Sequence, residues 1–152
     1  MGRKLGPLHK RARIAFFGSH GRLVREIDRR MREAGVVPLD VYDVLLTLEV
    51  APEQRRKMSE LAQYLSLSMS GATRAVDRLV REGMIEREPC PEDRRAVFAR
   101  VTDKGISERE RAWPVYEAAI LELFAANVSQ EEAEVLSAVL GRMAPKWGLF
   151  ND

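Results

Sequence analysis

The sequence predicts a mainly α-helical protein with a small β-hairpin, arranged as a winged helix-turn-helix flanked by N- and C-terminal helices. Three observations predict this fold. Apolar residues recur at helical spacing along most of the chain. Near its middle, two short helical patterns are separated by only three residues, 66–68. Directly after the second pattern, the helical period gives way to two short strand-like runs.

Length and composition fit one globular domain. The chain has 152 residues, of which 45% are hydrophobic and 32% charged, so a buried core and an ionised surface are both expected. No apolar run approaches the roughly 18 residues of a membrane span, and no secretion signal is recognisable. The single cysteine, Cys90, cannot form an internal disulfide. We therefore expect a cytoplasmic protein that does not bind membranes.

The first two predicted helices lie before the helix-turn-helix. The first runs from about residue 8 to residue 34 and ends at Gly35, a residue that tolerates the left-handed conformation of a helix stop. The second opens at Pro38, is apolar nearly all round and should therefore be buried; Pro52 is expected to end it. The apolar residues of the first helix recur at helical spacing; they are Ile14, Phe17, Leu23, Val24, Ile27 and Met31.

The next two helices form the compact pair. Ser59 is expected to cap a short helix, and Ser68 is expected to cap the one that follows, because a serine hydroxyl can accept a hydrogen bond from an unpaired backbone N–H. Gly83 should stop this second helix. Its inner stripe is expected to consist of Ala72, Val76, Leu79 and Val80.

The hairpin and the last two helices follow. Residues 85–88 and 96–101 are predicted strands, joined by a polar, proline-bearing connection. Thr102 can cap a long helix, in which Pro114 should cause a kink or a break because proline removes one backbone hydrogen bond. Ser129 and Glu132 have the spacing of a capping box at the start of the last helix.

Charge is unevenly distributed, although the net charge is only +2. Residues 1–34 contain 10 Lys/Arg against 3 Asp/Glu, and residues 55–111 contain 13 against 10. Residues 35–54 contain 4 acidic and no basic residues, and residues 112–152 contain 6 acidic and 2 basic ones. A basic patch that faces an anion and an ordinary solvated mixed surface both fit this pattern.

The second helix of the pair has a polar outer side that fits duplex DNA. Short polar side chains near its N-terminus can approach base edges, and arginine can bond guanine or phosphate. A helix of this kind fits the major groove, and its N-terminus favours a phosphate oxygen. An ordinary solvated helix face is the alternative. The outer residues are Ser70, Thr73, Arg74, Asp77, Arg78 and Arg81.

The hairpin tip supports the same interpretation. Arg94 and Arg95 project from a thin loop, and a slender basic loop can enter a narrow A·T-rich minor groove. Asp93 would be repelled by phosphate, but it can orient one of the arginines. A solvated loop remains the alternative.

Residues typical of enzymes and metal sites are absent from the sequence pattern. Gly18-Ser19-His20-Gly21 is neither a phosphate-binding loop nor a nucleophile elbow. His9 and His20 lie in one helical segment without ligands at suitable spacing, so we expect no metal, no cofactor and no enzymatic activity. Cys90 is open to two interpretations, a reactive thiolate beside Arg94 or an incidental surface thiol, of which we favour the second.

Aromatic residues suggest one further site. Phe16, Phe17, Tyr42 and Trp113 could line a pocket for a small aromatic effector between the flanking helices and the helix-turn-helix. Core packing is the alternative, and it is the commoner role of such residues.

A longer pattern connects these features. It comprises residues 58–62, 67–79, 82–85, 92–97 and 101–105, and its Asp-x-Arg at Asp93 and Arg95, followed by a strand and the helix start at Thr102, is more specific than a helix-turn-helix alone. Over about residues 55–105 the chain resembles the MarR family of bacterial transcription regulators. The flanking helices match that family in order and length.

The resemblance implies a single MarR-like domain over residues 1–152, with a winged helix-turn-helix at 36–105 and dimerisation helices at 8–34 and 106–146. It implies a homodimer that presents one winged helix to each half of a near-palindromic operator. It places Ser70, Thr73 and Arg74 in the major groove and Arg95 in the minor groove, with Asp93 orienting it. Ser68, Arg78 and Arg94 complete the implied DNA-binding set, the two arginines at phosphates. Gly71 departs from the serine or threonine common in the family.

Two functional hypotheses follow from the sequence. The first is a sequence-specific regulator of transcription, an effector-responsive repressor whose partners are double-stranded DNA, a second copy of itself and a small aromatic effector. The second is a winged-helix protein-interaction module without sequence-specific DNA binding, whose basic residues would face an acidic partner.

Overall fold

The computed structural model describes residues 5–91, 93 and 95–143, and within them it is mainly helical with one small antiparallel sheet. The helices are α1 (Pro7–Glu33), α2 (Leu39–Glu49), α3 (Met58–Tyr64), α4 (Met69–Arg81), α5 (Asp103–Leu123) and α6 (Gln130–Gly141). The strands are β1 (Arg55–Lys57), β2 (Ile85–Pro89) and β3 (Val97–Val101), and short 3₁₀ turns lie at Pro52–Gln54 and Ala125–Asn127.

Local signals at the helix ends are confirmed. The hydroxyl of Ser68 accepts from the N–H of Gly71 at 3.1 Å, and Thr102 caps α5 in the same way. Ser129 forms the complete capping box with Glu132 at the start of α6. The glycines after α1 and α4 have positive φ angles of 68° and 74°, which a side chain would make unfavourable. They are Gly35 and Gly83.

One boundary near α3 was predicted wrongly. The short helix begins at Met58, with Lys57 before it and no side-chain cap, so Ser59 lies inside the first turn and does not cap it. The predicted end of the second helix before Pro52 is confirmed, because α2 ends at Glu49. Pro52 begins the 3₁₀ turn that leads into β1, and the turn and the strand together take up residues 52–57.

The predicted break at Pro114 does not occur, because α5 is one continuous helix. Proline removes only one hydrogen bond of the ladder. Ala112 and Ala119 are buried on either side of it, at 0% and 1% exposure. Packing of these two positions against the core keeps the helix in one piece.

A third strand, β1, was not predicted. It pairs antiparallel with β3, which lies between β1 and β2 in the sheet. Its central residue, Arg56, is only 8% exposed, donates from Nε to the carbonyl of Thr47 at 3.0 Å, and stacks its guanidinium 3.9 Å from the ring centre of Tyr64. Arg56 therefore attaches the sheet to the end of α2.

The core of the winged helix forms around α2. Seven of the eleven α2 residues are buried, and Tyr42, Leu45 and Leu48 are fully so. Helix α4 contributes Ala72, Val76 and Leu79 to this core, but Val80 is 37% exposed, so its predicted inward position is wrong. The N-terminus of α5 lies close to the sheet, because a Cβ on Gly105 would overlap the carbonyl oxygen of Met84.

The flanking helices leave large apolar side chains exposed in the protomer. The predicted first helix is confirmed as α1, but only Ile27 and Met31 of its periodic apolar residues are buried, and Ile14, Phe17 and Val24 are exposed in the single chain. No residue of α6 is buried. We define the uncovered apolar surface as Leu8, Ile14, Phe16, Phe17, Val24, Val135, Leu136, Val139 and Met143, which are 37–70% exposed.

Within the described residues, no helix combines the length and the apolar character that crossing a membrane requires.

Candidate nucleic-acid interface

A tight connection between α3 and α4 sets the position of α4. Ser66 has a left-handed φ of 53°, and the N–H of Leu67 donates to the carbonyl of Ala62 at 2.8 Å. The chain then enters α4 at the Ser68 cap. Because one side of α4 is buried in the core, its opposite side is available to a partner.

The outer face of α4 carries short polar residues first and arginines later. Ser70, Arg74 and Arg81 are exposed, and Thr73 is half-buried. The Ser68 hydroxyl lies 3.1 Å from that of Ser70 and is already bound to the main chain of the helix. The contribution of Ser68 is therefore to cap the helix.

The glycine that departs from the family pattern has a structural reason. A Cβ on Gly71 would lie 3.2 Å from the Ser68 hydroxyl oxygen, tighter than nine in ten real contacts of a Cβ atom, so the cap would have to shift by a few tenths of an ångström. Glycine thus leaves room for the cap. It also leaves the first turn of α4 with a low profile, so that a partner surface can approach it.

Arg78 lies at the other edge of α4, beside two acidic residues of α2. Its Nη2 is 3.4 Å from Oδ2 of Asp40, which is a long and partly solvated contact. Loss of hydration and the nearby Asp40 raise the pKa of Asp43 to about 6, although the residue keeps contact with solvent. Arg78 is held weakly enough to turn toward another anion.

Asp77 is the one acidic residue on the outer face of α4, and it is paired. Its Oδ1 lies 2.9 Å from Nη2 of Arg87 on β2. The pair offsets a negative charge that would otherwise repel phosphate, and it joins α4 to the hairpin. The sequence identified Asp77, but its partner could not be found from spacing alone.

The hairpin tip is organised by main-chain hydrogen bonds. Cys90 donates its N–H to Ala96 at 3.1 Å, Ala96 donates to the carbonyl of Asp93 at 2.9 Å, and the Asp93 carboxylate accepts from the N–H of Arg95 at 2.9 Å. Asp93 thus fixes the backbone from which the exposed Arg95 projects. Arg94 lies outside the described residues.

The base of the hairpin is held by a three-member ion network. Glu88 on β2 accepts from Arg100 on β3 and, at 2.9 Å, from Arg55 on β1. These two guanidinium groups hold the pKa of Glu88 below its usual range, Arg100 having the larger effect. Arg55 also lies 4.6 Å from the ring centre of Phe98. The network restrains all three strands relative to one another.

Cys90 is buried, with 4% exposure, so the expectation of an incidental surface thiol is wrong. It lies where the hairpin narrows between Pro89 and Pro91. In this buried position Cys90 packs as a small apolar residue at the base of the hairpin tip.

A cleft of about 410 Å³ separates α4 from the hairpin. Its lining includes Thr73 of α4 and Arg87, Asp93 and Arg95 of the hairpin. Met69, the first residue of α4, also lines it and is 51% exposed. Sequence analysis missed Met69 as a site residue, since a methionine at helical spacing is usually buried.

The four aromatic residues proposed for an effector pocket form two groups. Tyr42 stacks on Tyr116 with their ring centres 4.6 Å apart, and the ring centre of Trp113 lies 6.0 Å from that of Tyr116. All three lie at the junction of α2 and α5. Phe16 contacts Phe17, with ring centres 5.5 Å apart, on the exposed half of α1.

An ion pair crosses the same junction. Arg109 of α5 donates from Nε and Nη2 to the two carboxylate oxygens of Glu49 on α2, at 2.6 and 2.8 Å. The Arg109 side chain is only 14% exposed, and the bond to Glu49 raises its pKa. A two-pronged contact of this kind fixes orientation as well as distance, so α5 and the winged helix are firmly joined. Among all the residues that the structure describes, no group of three or more His, Cys, Asp or Glu side chains could hold a metal ion.

Comparison with known proteins agrees with this architecture. A family model described as "MarR family" matches residues 36–96. The chain is 29% identical over 112 residues to YkoM, an uncharacterised helix-turn-helix transcriptional regulator of Bacillus subtilis, which covers 74% of this chain and 70% of that protein. It is 27% identical over 132 residues to the multiple antibiotic resistance protein MarR of Escherichia coli, over 82% and 90% of the two chains.

A solved structure gives the same result for the whole fold. Sco3205 of Streptomyces coelicolor, a MarR family transcriptional regulator determined in complex with DNA, superimposes with a TM-score of 0.84 at 26% identity. The match covers 94% of this chain and 89% of that one. In its winged helix, its flanking helices and these relatives, the chain is similar to transcriptional regulators of the MarR family.

Proposed function

We propose that this protein is a dimeric, effector-responsive repressor that binds a near-palindromic operator in double-stranded DNA. The observation that carries the proposal is the outer face of α4, which is polar, arginine-bearing and adjacent to a rigid hairpin with Arg95 at its tip. We place the protein in the cytoplasm, where the DNA of a bacterial cell is found.

The polarity of α4 supports a division of tasks between the two elements. Ser70, Thr73 and Arg74 lie in the first turns of α4, the part of such a helix that contacts base edges in the major groove. Arg95 extends from the hairpin toward the adjacent minor groove, and Arg78 is available to a phosphate. Arg94 is proposed for phosphate from the sequence pattern alone.

A second copy of the chain is the partner proposed for the uncovered apolar surface, and residues 8–34 and 106–146 are the proposed dimerisation helices. Patches of this kind mark protein–protein contacts in soluble proteins. Charge is complementary as well, because residues 1–34 are strongly basic and residues 112–152 are acidic. The basic α1 of one copy can therefore approach the acidic α6 region of the other. Two winged helices would then be presented together, one to each half-site.

The junction of α2 and α5 is the proposed route from effector to DNA. Tyr42, Trp113 and Tyr116 cluster there, and the Arg109–Glu49 pair ties α5 to the winged helix. An aromatic effector that displaces α5 would move the winged helix with it and change the spacing between the two half-site contacts. A thermal-shift screen with phenols and aromatic acids tests this part, with a rise in the unfolding midpoint and loss of DNA binding as the expected pair of results.

The test of DNA binding starts from a duplex that the protein itself selects from a random-sequence library. Replacing Arg95 or Arg74 by alanine should weaken binding by about 1–3 kcal/mol, because each removes a groove contact. Affinity of the unaltered protein should fall steeply as salt rises, since phosphate contacts release counterions. Fluorescence anisotropy titrations at several salt concentrations measure both effects.

A matched control distinguishes a groove contact from a general loss of positive charge. Arg32 lies in the last turn of α1, outside the uncovered apolar surface that the dimer would bury, and it is exposed and already paired with Asp28 of the same helix. Arg32→Ala should leave the affinity for the selected duplex nearly unchanged. Equal losses in all three variants would point to charge alone, and failure to select any duplex would favour the protein-interaction module instead.

A further inference from the structure

Met69 has no part in the contacts proposed so far, and its position is unusual for its chemistry. It is the first residue of α4, and half of its side chain is exposed to water. Ser68 and Ser70 stand on either side of it in the chain, and the cleft that it lines also includes the apolar residues Met58, Ala96 and Val97. An apolar side chain exposed at the start of this helix can contact an apolar group of a partner.

The chemistry of methionine narrows the choice of that group. Its thioether has no N–H or O–H to donate, so it cannot bind a phosphate as arginine or serine can. In the major groove, the apolar group on the base edges is the C5-methyl group of thymine. We propose that Met69 contacts a thymine methyl group in each half-site and is thereby a specificity-determining residue. This inference rests on the proposed DNA binding.

The geometry of α4 supports direct access. Side chains of a helix lean toward its N-terminus, so that of Met69 extends past the first turn. The neighbouring positions, Ser70 and Gly71, are small and do not shield it. Met69 and Thr73 lie along the same edge of α4 and line the cleft whose other wall carries Arg95. The cleft thus brings together the apolar side chain of Met69, the hydroxyl of Thr73 and the guanidinium of Arg95.

The expected effect follows from the size of one methyl group. Burying a methyl-sized apolar group favours binding by a factor of about four. Removing the methyl group at the equivalent thymine of both half-sites should therefore weaken binding by about 15-fold if the two effects multiply.

The experiment uses the full-length protein and the duplex it selects. Thymines are replaced by deoxyuridine in symmetry-related pairs, which removes only the methyl group. At one pair, the unaltered protein should bind the uracil duplex about 15-fold more weakly. The variant Met69→Ala should bind the thymine and uracil duplexes with equal affinity. Anisotropy titrations measure each dissociation constant, and thermal melts check that the variants are folded.

Two further variants sharpen the result. Val80→Ala removes another exposed apolar side chain of α4, eleven residues away, and should leave the preference for thymine intact. Met69→Gln preserves length but replaces the thioether with an amide, and should lose the preference. A protein indifferent to every thymine-to-uracil change, or a Met69→Ala variant that keeps full discrimination, would overturn the assignment while leaving the proposed function in place. Failure of the unaltered protein to bind any duplex would overturn both.

Discussion

The two helices α2 and α6 are similar in length, but they bury their residues to opposite extents. Helix α2 has seven buried residues of eleven, and α6 has none of its twelve. Both carry several large aliphatic side chains. The winged helix thus contains the covering surface for its own central helix, whereas α6 and the first half of α1 do not find theirs in the same chain. The difference indicates which part of the molecule is a self-contained unit and which part awaits a partner.

The same division explains how one chain can combine rigidity with response. Within the winged helix, Arg56, the Glu88 network and the Asp77–Arg87 pair hold α2, α4 and the sheet together. At its boundary, the Arg109–Glu49 ion pair and the stack of Tyr42 on Tyr116 join it to α5. A change in the packing of the flanking helices can therefore reposition the unit without altering its internal contacts.

The largest expected effect comes from breaking the interface proposed for the flanking helices. Val139→Asp places a charge in the middle of the apolar stripe of α6, where the valine is 38% exposed in the protomer. The dimer should dissociate, and operator affinity should fall by about 100-fold or more, because two linked half-site contacts become independent ones. Light scattering and anisotropy titrations measure the two quantities.

Ala138→Asp is the matched control for that variant. It introduces the same charge at the adjacent position, which points about 100° away around the helix. Mass and affinity should stay close to those of the unaltered protein. A Val139→Asp variant that remains a dimer would contradict the place assigned to α6.

The second-largest expected effect is a loss of stability in the winged helix. Gly105→Ala would bring a Cβ into the carbonyl oxygen of Met84 and to 2.8 Å from Cγ2 of Val101, so α5 would have to move away from the sheet. We expect a loss of about 1–3 kcal/mol in the free energy of unfolding, measured by urea denaturation. Gly141→Ala, where a Cβ meets nothing within 4 Å, should change it by less than about 0.5 kcal/mol. Equal effects at the two sites would refute the close packing.

The smallest expected effect is a pH dependence of the stability, which comes from Asp43 on α2, beside α4. The pKa of Asp43 is raised to about 6, so the folded protein holds a proton that the unfolded chain releases near pH 4. Stability contributed by the neutral carboxyl is therefore lost as the pH rises from about 4 through 6. Asp43→Asn should raise the unfolding midpoint at pH 7 and raise it less at pH 4. A larger gain at pH 4 would contradict the assignment.

Local features of the fold were predictable from sequence, and contacts between distant segments were not. Ser68, Thr102 and Ser129 satisfy backbone groups within their own first turn, so spacing was enough to identify them. Strand β1 consists of three charged residues and forms because it pairs with β3. No local sequence pattern reveals such a pairing. The break at Pro114 was a local rule that tertiary packing outweighed.

The same reasoning applies to the candidate site. The outer face of α4 follows directly from helical periodicity, and Arg95 follows from the hairpin. Met69 and the partner of Asp77 were missed, because the first depends on which side of α4 the hairpin approaches and the second on the distance between α4 and β2. Periodicity also predicted that α1 and α6 have an apolar side, but it could not say whether the same chain or another one covers it.

Dimeric binding to duplex DNA is tested most directly by the mass of the complex formed on the selected duplex, determined by analytical ultracentrifugation at low and at high salt. We expect two chains bound to one duplex, with the complex dissociating as salt rises. A single chain that saturates the duplex, or binding that is insensitive to salt, would contradict it.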